Sequence, residues 1–318
     1  MPSHYRISLE PNLDDATFAG SVEIEVELGQ STDNIQINSA DLQISAACVR
    51  DAVGGVTVAS GVEHDEDIER ATLSFDSELS AGPYTIVAEF TGILNDQLHG
   101  FYRSVFTGDD GVERTIATTQ FESTHARRAF PCFDEPAFKA SYGVTLVVPE
   151  NEFAVSNGPT VSETDLGDGR KSILFEDTMV MSTYLVAFIV GPFEATDPVD
   201  VDGVPLRIVH PIGKGHLTDY SLEAGAFALK FFSDYYGIPY PGQKLDMIAV
   251  PDFAFGAMEN LGCITYREVL LLVDKSRSTE PELLRVADVI AHEIAHMWFG
   301  DLVTMEWWNG IWLNEAFA

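Results

Sequence analysis

VEIEVEL, residues Val22–Leu28, alternates apolar and acidic side chains at a period of two. Successive side chains of a strand point to opposite faces, so this stretch predicts a strand with one face buried and one wet. YTIVAEFTGI (Tyr84–Ile93) and YLVAFIVG (Tyr184–Gly191) predict further strands, and Gly, Asp, Asn and Ser punctuate the gaps between them. The first 195 residues are therefore expected to form a mainly antiparallel, sandwich-like β domain. The 318 residues leave room for a second domain. The Pro-, Gly- and Asp-rich stretch Gly191–Gly203 marks the boundary region, with residues 196–318 beyond it.

After that boundary the pattern changes to α+β. VPLRIVH and KLDMIAVPDF read as strands, and Tyr220–Gly237 has helical spacing ending on a glycine. A long helix is expected over STEPELLRVADVIAHEIAHMWFGD, opened by the Thr279/Glu282 capping-box pattern with Pro281 in its first turn and stopped at Gly300. NGIWLNEAFA begins another helix, with Asn309 as its expected N-cap.

Composition narrows the function. Asp and Glu total 50 against 18 Lys and Arg, a formal net charge of -32, so a phosphate backbone is not a partner. The acids are spread along the chain, as on a solvated surface screened by counterions; attraction of cationic substrates is the other reading. No apolar run reaches the roughly 18 residues of a membrane span, and the N-terminus lacks a basic start and apolar stretch. Cys48, Cys132 and Cys263 are too few and too distant for a disulfide framework, which fits a reducing compartment such as the cytoplasm.

The chemistry lies in HEIAH, residues 292–296. His292 and His296 are one helical turn apart and share a face, so two imidazoles can reach one zinc ion. Glu293 follows a ligand directly, where it can take a proton from water beside the metal. Glu315, with 18 residues between it and His296, is the candidate third ligand, brought back by the next helix. The plainer alternatives are an ordinary pair of helix histidines and a surface carboxylate, although Trp312, Leu313 and Phe317 argue against a wholly exposed helix.

GAMEN (Gly256–Asn260), HEIAHMWFGDLVTMEWWNGIWLNEAFA and TQFESTHARRAFPCFDEPAFKA (Thr119–Ala140) together resemble the zinc aminopeptidases of the aminopeptidase N and puromycin-sensitive type, along the whole chain. The resemblance implies a saddle-like β domain followed by a thermolysin-like domain, one zinc per chain, and peptide substrates with a free N-terminal amine. It implies His292, His296 and Glu315 as ligands, and Glu293 as general base and later proton donor. Glu259 and Glu122 would bind the substrate amine, with Gln120 lining the same pocket. Backbone groups of Gly256 and Ala257 would hold the substrate main chain, Met258 would touch its first side chain, and Asn260 completes the motif.

Two carboxylates suit an ammonium, because charge-assisted hydrogen bonds are the strong ones, and they fix which peptide bond reaches the metal. Structural roles remain open for Gly256, as a turn or bulge residue, and for Glu122 and Glu259, as carboxylates bonded to nearby backbone. His125 stands where the family usually has aspartate, Phe133 where tryptophan is frequent, and Ala316 where glycine is common. Arg127 and Arg128 are expected to pair with acids in a structural role. Family members continue beyond the position of Ala318 with a tyrosine that stabilises the oxyanion and a helical domain, so the resemblance implies that the chain is an N-terminal portion. A non-catalytic, zinc- and peptide-binding module is the alternative.

Overall fold

A computed structural model describes residues 1–108 and 110–318. VEIEVEL lies within the strand Thr17–Leu28, where Val22, Ile24 and Val26 are buried and the glutamates face outward. That strand sits inside an eight-stranded sheet, between Pro2–Asn12 on one side and Gly82–Ile93 on the other. The sheet is antiparallel except where Pro2–Asn12 runs parallel to Ser141–Pro149, from His4↔Ser141 to Leu9↔Leu146. A three-stranded sheet (Thr32–Asn38, Arg70–Leu79, Gly61–Asp65) and a four-stranded sheet (Phe153–Ser156, Phe188–Gly191, Glu113–Gln120, Gly100–Thr107) complete the β-rich region.

The expected strand over Tyr184–Gly191 is shorter in the structure. Thr183–Leu185 is a single 3-10 turn, and the strand begins at Phe188. Ser182 Oγ donates to the Pro136 carbonyl (2.6 Å) and Asn157 Nδ2 to the Leu185 carbonyl (2.8 Å), so side chains rather than a ladder hold this backbone. The boundary stretch is also more ordered than its composition implies. Phe193–Ala195 and Val199–Val201 are short strands, both paired with Val204–Pro211.

Val204–Pro211 opens a fourth sheet in which it, Leu245–Val250 and Cys263–Arg267 run parallel, with Ala257–Met258 as an antiparallel edge. All six residues of Leu245–Val250 are buried, as a central parallel strand requires. Helices α1 (Asp219–Tyr236) and α2 (Glu280–Ala295) pack against each other, and α3 (Ile311–Phe317) follows. Gly237 ends α1 in the left-handed conformation (φ 65) that glycine adopts without a Cβ penalty. The capping box forms as expected: Glu282 accepts from both the Thr279 N–H and its hydroxyl at 2.8 Å. No helix among the described residues is long and apolar enough to cross a membrane.

Two helix ends differ from expectation. α2 stops at Ala295 with His296 as its C-cap, not at Gly300. Asn309 lies inside a 3-10 turn, Trp308–Gly310, and Gly310 precedes α3.

This fourth sheet buries Asp246, 1% exposed, between two cations. Arg207 reaches it through Nε (2.8 Å) and Nη2 (3.1 Å), and Lys244 Nζ lies 2.9 Å away. Burial alone would raise this carboxyl, but Lys244 and Arg207 hold it below the usual range. A depressed pKa stabilises the fold fully above the ordinary value near ~4, and that contribution is lost as pH falls through the lower folded value. Asp246→Ala would leave Lys244 buried beside Gly262 without its counter-ion, and is expected to cost about 3–5 kcal/mol in denaturant unfolding. A cost below about 1 kcal/mol would show that the two cations do not need it.

Candidate metal centre and amine site

α2 presents two kinds of side chain. Val286, Val289, Ile290 and Ile294 are buried, while Arg285, Asp288 and His292 line an open cleft of about 640 Å³ with Glu293 and His296. The helix's early stop shapes the site. His296 Nδ1 donates to the Phe299 carbonyl at 2.9 Å, and since a carbonyl can only accept, Nε2 is left with its lone pair toward the cleft. That nitrogen lies 3.1 Å from His292 Nε2, a separation that needs a proton or a cation between them.

α3 returns Glu315 to the same point. Its Oε2 is 3.4 Å from His292 Nε2 and 3.8 Å from His296 Nε2. Zinc bonds of about 2.0–2.2 Å in a tetrahedron put neighbouring ligand atoms roughly 3.3–3.6 Å apart, so the three atoms are spaced to cap one face of such a site. The pair His292–Glu315 lowers the Glu315 carboxyl and raises the His292 imidazole, and burial lowers His296.

Beside these atoms the cleft concentrates negative charge. Glu122, Glu259 and Glu315 offer oxygens within 4.8 Å of one another, as do Glu259, Glu293 and His296. Burial, then Glu259 and Glu315, push Glu122 up to about 8; burial, with Glu315 adding, pushes Glu259 up to about 7. Glu293, 5% exposed, is held well above the carboxylate range by burial and by Glu259, Glu315 and Glu122. The buried Glu259 Oε1 has no hydrogen-bond partner among the described residues. Such a cluster is costly unless cations enter it. A divalent metal at the histidines and an ammonium at the glutamates would each supply one.

Gly256 and Ala257 form one wall. Among the described residues the strand Ala257–Met258 pairs only with Cys263–Arg267, and Gly256 O accepts from Arg267 N at 2.9 Å. In an antiparallel ladder the next residue's groups point the other way, so the N–H and C=O of Ala257 face outward at a free edge. A Cβ on Gly256 would meet only Leu270 at an ordinary 3.5 Å, so the fold itself does not demand glycine there.

Not every candidate reaches the cleft. Gly256, Ala257, Glu122 and Glu259 line it. Gln120, Met258 and Asn260 lie beneath it. Gln120 Nε2 donates to Met258 Sδ (3.3 Å), and Asn260 Nδ2 to Thr265 Oγ1 (3.2 Å). Arg285 and Asp288 are lining residues that the sequence reading passed over. Their spacing, seven and four residues before His292, places them on its helix face. Arg127 pairs with Asp134 (3.0 Å) and Glu69 (3.1 Å), and Arg128 with Glu69 and Asp41, in the structural role expected of them.

Residues 1–185 match the Peptidase M1 N-terminal domain, and residues 220–318 match the Peptidase family M1 domain. The chain is 45% identical over 317 residues to rice "Aminopeptidase M1-C". It is 42% identical over 321 residues to human "Endoplasmic reticulum aminopeptidase 1" and 40% over 318 to the "Puromycin-sensitive aminopeptidase" of Caenorhabditis elegans. Each alignment takes in 100% of this chain but 36%, 34% and 34% of those proteins, so the chain spans about a third of the length of the curated relatives it matches.

Proposed function

The chain belongs to the peptidase M1 family, and from that premise we propose that it carries the metal- and amine-binding residues of a zinc aminopeptidase. His292, His296 and Glu315 would hold one zinc ion. Bound there, zinc supplies Lewis-acid chemistry, polarising the scissile carbonyl and making water a better nucleophile near neutral pH. Glu259 and Glu122 receive the substrate's ammonium. Ala257 pairs with the substrate backbone as an added strand, which sets the register. Glu293 takes a proton from the attacking water and passes it to the departing amine. The observation that carries the reading is the buried, unpartnered Glu259 Oε1 on the wall of a cleft that also holds the three converging ligand atoms.

The same reading divides the chain after residue 195 into a β domain and a thermolysin-like domain. Two short strands in the boundary stretch, Phe193–Ala195 and Val199–Val201, both pair antiparallel with Val204–Pro211, which supports a junction near that stretch. A reducing compartment such as the cytoplasm is supported by the three free cysteines.

The test compares a short peptide bearing a free N-terminal amine with its N-acetylated form, using the protein in an active form. Acetylation removes the charge that the two glutamates bind. At about 1.5–3 kcal/mol for each hydrogen bond to a charged group, kcat/KM is expected to fall on the order of 10²–10⁴-fold. Cleavage of the acetylated peptide within tenfold of the free one would overturn the aminopeptidase reading and favour an endopeptidase.

A further inference from the structure

The two zinc-ligand helices are joined by residues 296–310, which fold back on themselves through backbone bonds such as Gly300 N to Val303 O (2.8 Å) and Asp301 N to His296 O (3.1 Å). Further attachment comes from elsewhere in the chain. Tyr184, fully buried, donates its hydroxyl to the Gly300 carbonyl (3.3 Å) and accepts from Asn314 Nδ2 (3.3 Å), while its ring meets Trp308 edge-on at 5.3 Å. Asn314 directly precedes Glu315 and is itself 3% exposed. Lys139 Nζ donates to the carbonyls of Asp301 (3.1 Å) and Leu302 (3.3 Å) in the same connection.

The Tyr184 anchor stands on a braced support. Thr183 Oγ1 donates to Asp134 Oδ1 (2.8 Å), and Arg127 Nε donates to Asp134 Oδ2 (3.0 Å). With the bonds from Ser182 and Asn157 already described, the turn Ser182–Leu185 is tied on both sides. A buried hydroxyl so held can act as a fixed reference point for a short helix, which by itself would be only marginally stable.

We infer that Tyr184 is a positioning residue of the metal centre. It fixes Asn314, and through it the adjacent Glu315, at the separation from His292 and His296 at which the three can share one ion. Lys139 steadies the connection from the same side. The β-rich region is thus a working part of the zinc site and not only a neighbour of it. This rests on the reading that His292, His296 and Glu315 hold zinc.

The experiment measures the zinc dissociation constant of the full 318-residue chain by competition with a chromogenic chelator, for the unsubstituted protein, Tyr184→Phe and Asn314→Leu. Loss of a bond that orients a metal ligand costs roughly 10–100-fold in metal affinity, so each variant is expected to bind zinc about tenfold more weakly. The double variant is expected to lose little more than either alone, since the two act through one contact. The melting temperatures of the metal-free forms separate this from a general weakening, which would lower melting and leave zinc affinity unchanged. Stoichiometric zinc in the unsubstituted chain with unchanged affinity in Tyr184→Phe would overturn the inference and spare the zinc reading. If Tyr184→Phe does not fold, unchanged affinity in Asn314→Leu overturns it instead. No zinc in the unsubstituted chain would overturn both.

Discussion

Replacing Glu293 with glutamine is expected to leave zinc bound and slow peptide cleavage on the order of 10²–10⁴-fold, the usual contribution of a general base. The substitution preserves shape at a position only 5% exposed, so it creates no cavity. It removes a carboxyl whose ionisation is opposed by burial and by Glu259, Glu315 and Glu122. The fold should therefore not suffer, and the variant's melting temperature should match or exceed that of the parent. What is lost is a group that can both accept and return a proton beside the ligands. The measurement is kcat on a free-amine peptide, with zinc stoichiometry determined on the same sample. A variant that keeps its zinc and more than a tenth of its turnover would remove Glu293 from the chemistry.

Glu315→Ala is expected to have the largest effect on the metal. Its side chain is 48% exposed, so truncation costs the metal-free fold little, yet it takes away one of the three proposed ligands. Zinc affinity should fall by more than the roughly 10–100-fold that follows loss of a supporting hydrogen bond. A ligand that binds only the folded state adds about 2.7–4.1 kcal/mol of stability at 100 to 1,000 times its Kd. Zinc at micromolar excess is accordingly expected to raise the parent's melting temperature and to leave that of Glu315→Ala unchanged. Equal stabilisation of the two proteins would exclude Glu315 as a ligand.

Much of this site is readable in the sequence because its geometry is local. His292 and His296 share a helix face by spacing alone, and Glu293 must flank them. The capping box at Thr279 and the alternation in Val22–Leu28 are short-range patterns of the same kind, and both appear as expected. The misreadings have separate physical causes. Tyr184–Gly191 is apolar and buried throughout, so it has no period with which to separate a 3-10 turn from a strand. α2 ends early because His296 and the residues after it bond to the connection, with Asp301 N donating to His296 O at 3.1 Å. The roles of Tyr184 and Lys139 could not be found from spacing, since each bridges more than 100 residues.

The parallel pairing of Pro2–Asn12 with Ser141–Pro149 also sets an order of events during synthesis. The hairpin of Pro2–Asn12 with Thr17–Leu28 can close within microseconds of its emergence, as local hairpins do. Its outer edge, a row of unpaired backbone groups, then waits for a partner more than 120 residues later. At about 5–20 residues per second, that edge stays open for roughly 6–25 seconds on the ribosome. Unpaired edges invite pairing with other chains, and here His4, Arg6, Ser8 and Glu10 interrupt the apolar side chains along it. The nascent chain thus carries its own protection across the interval its topology imposes.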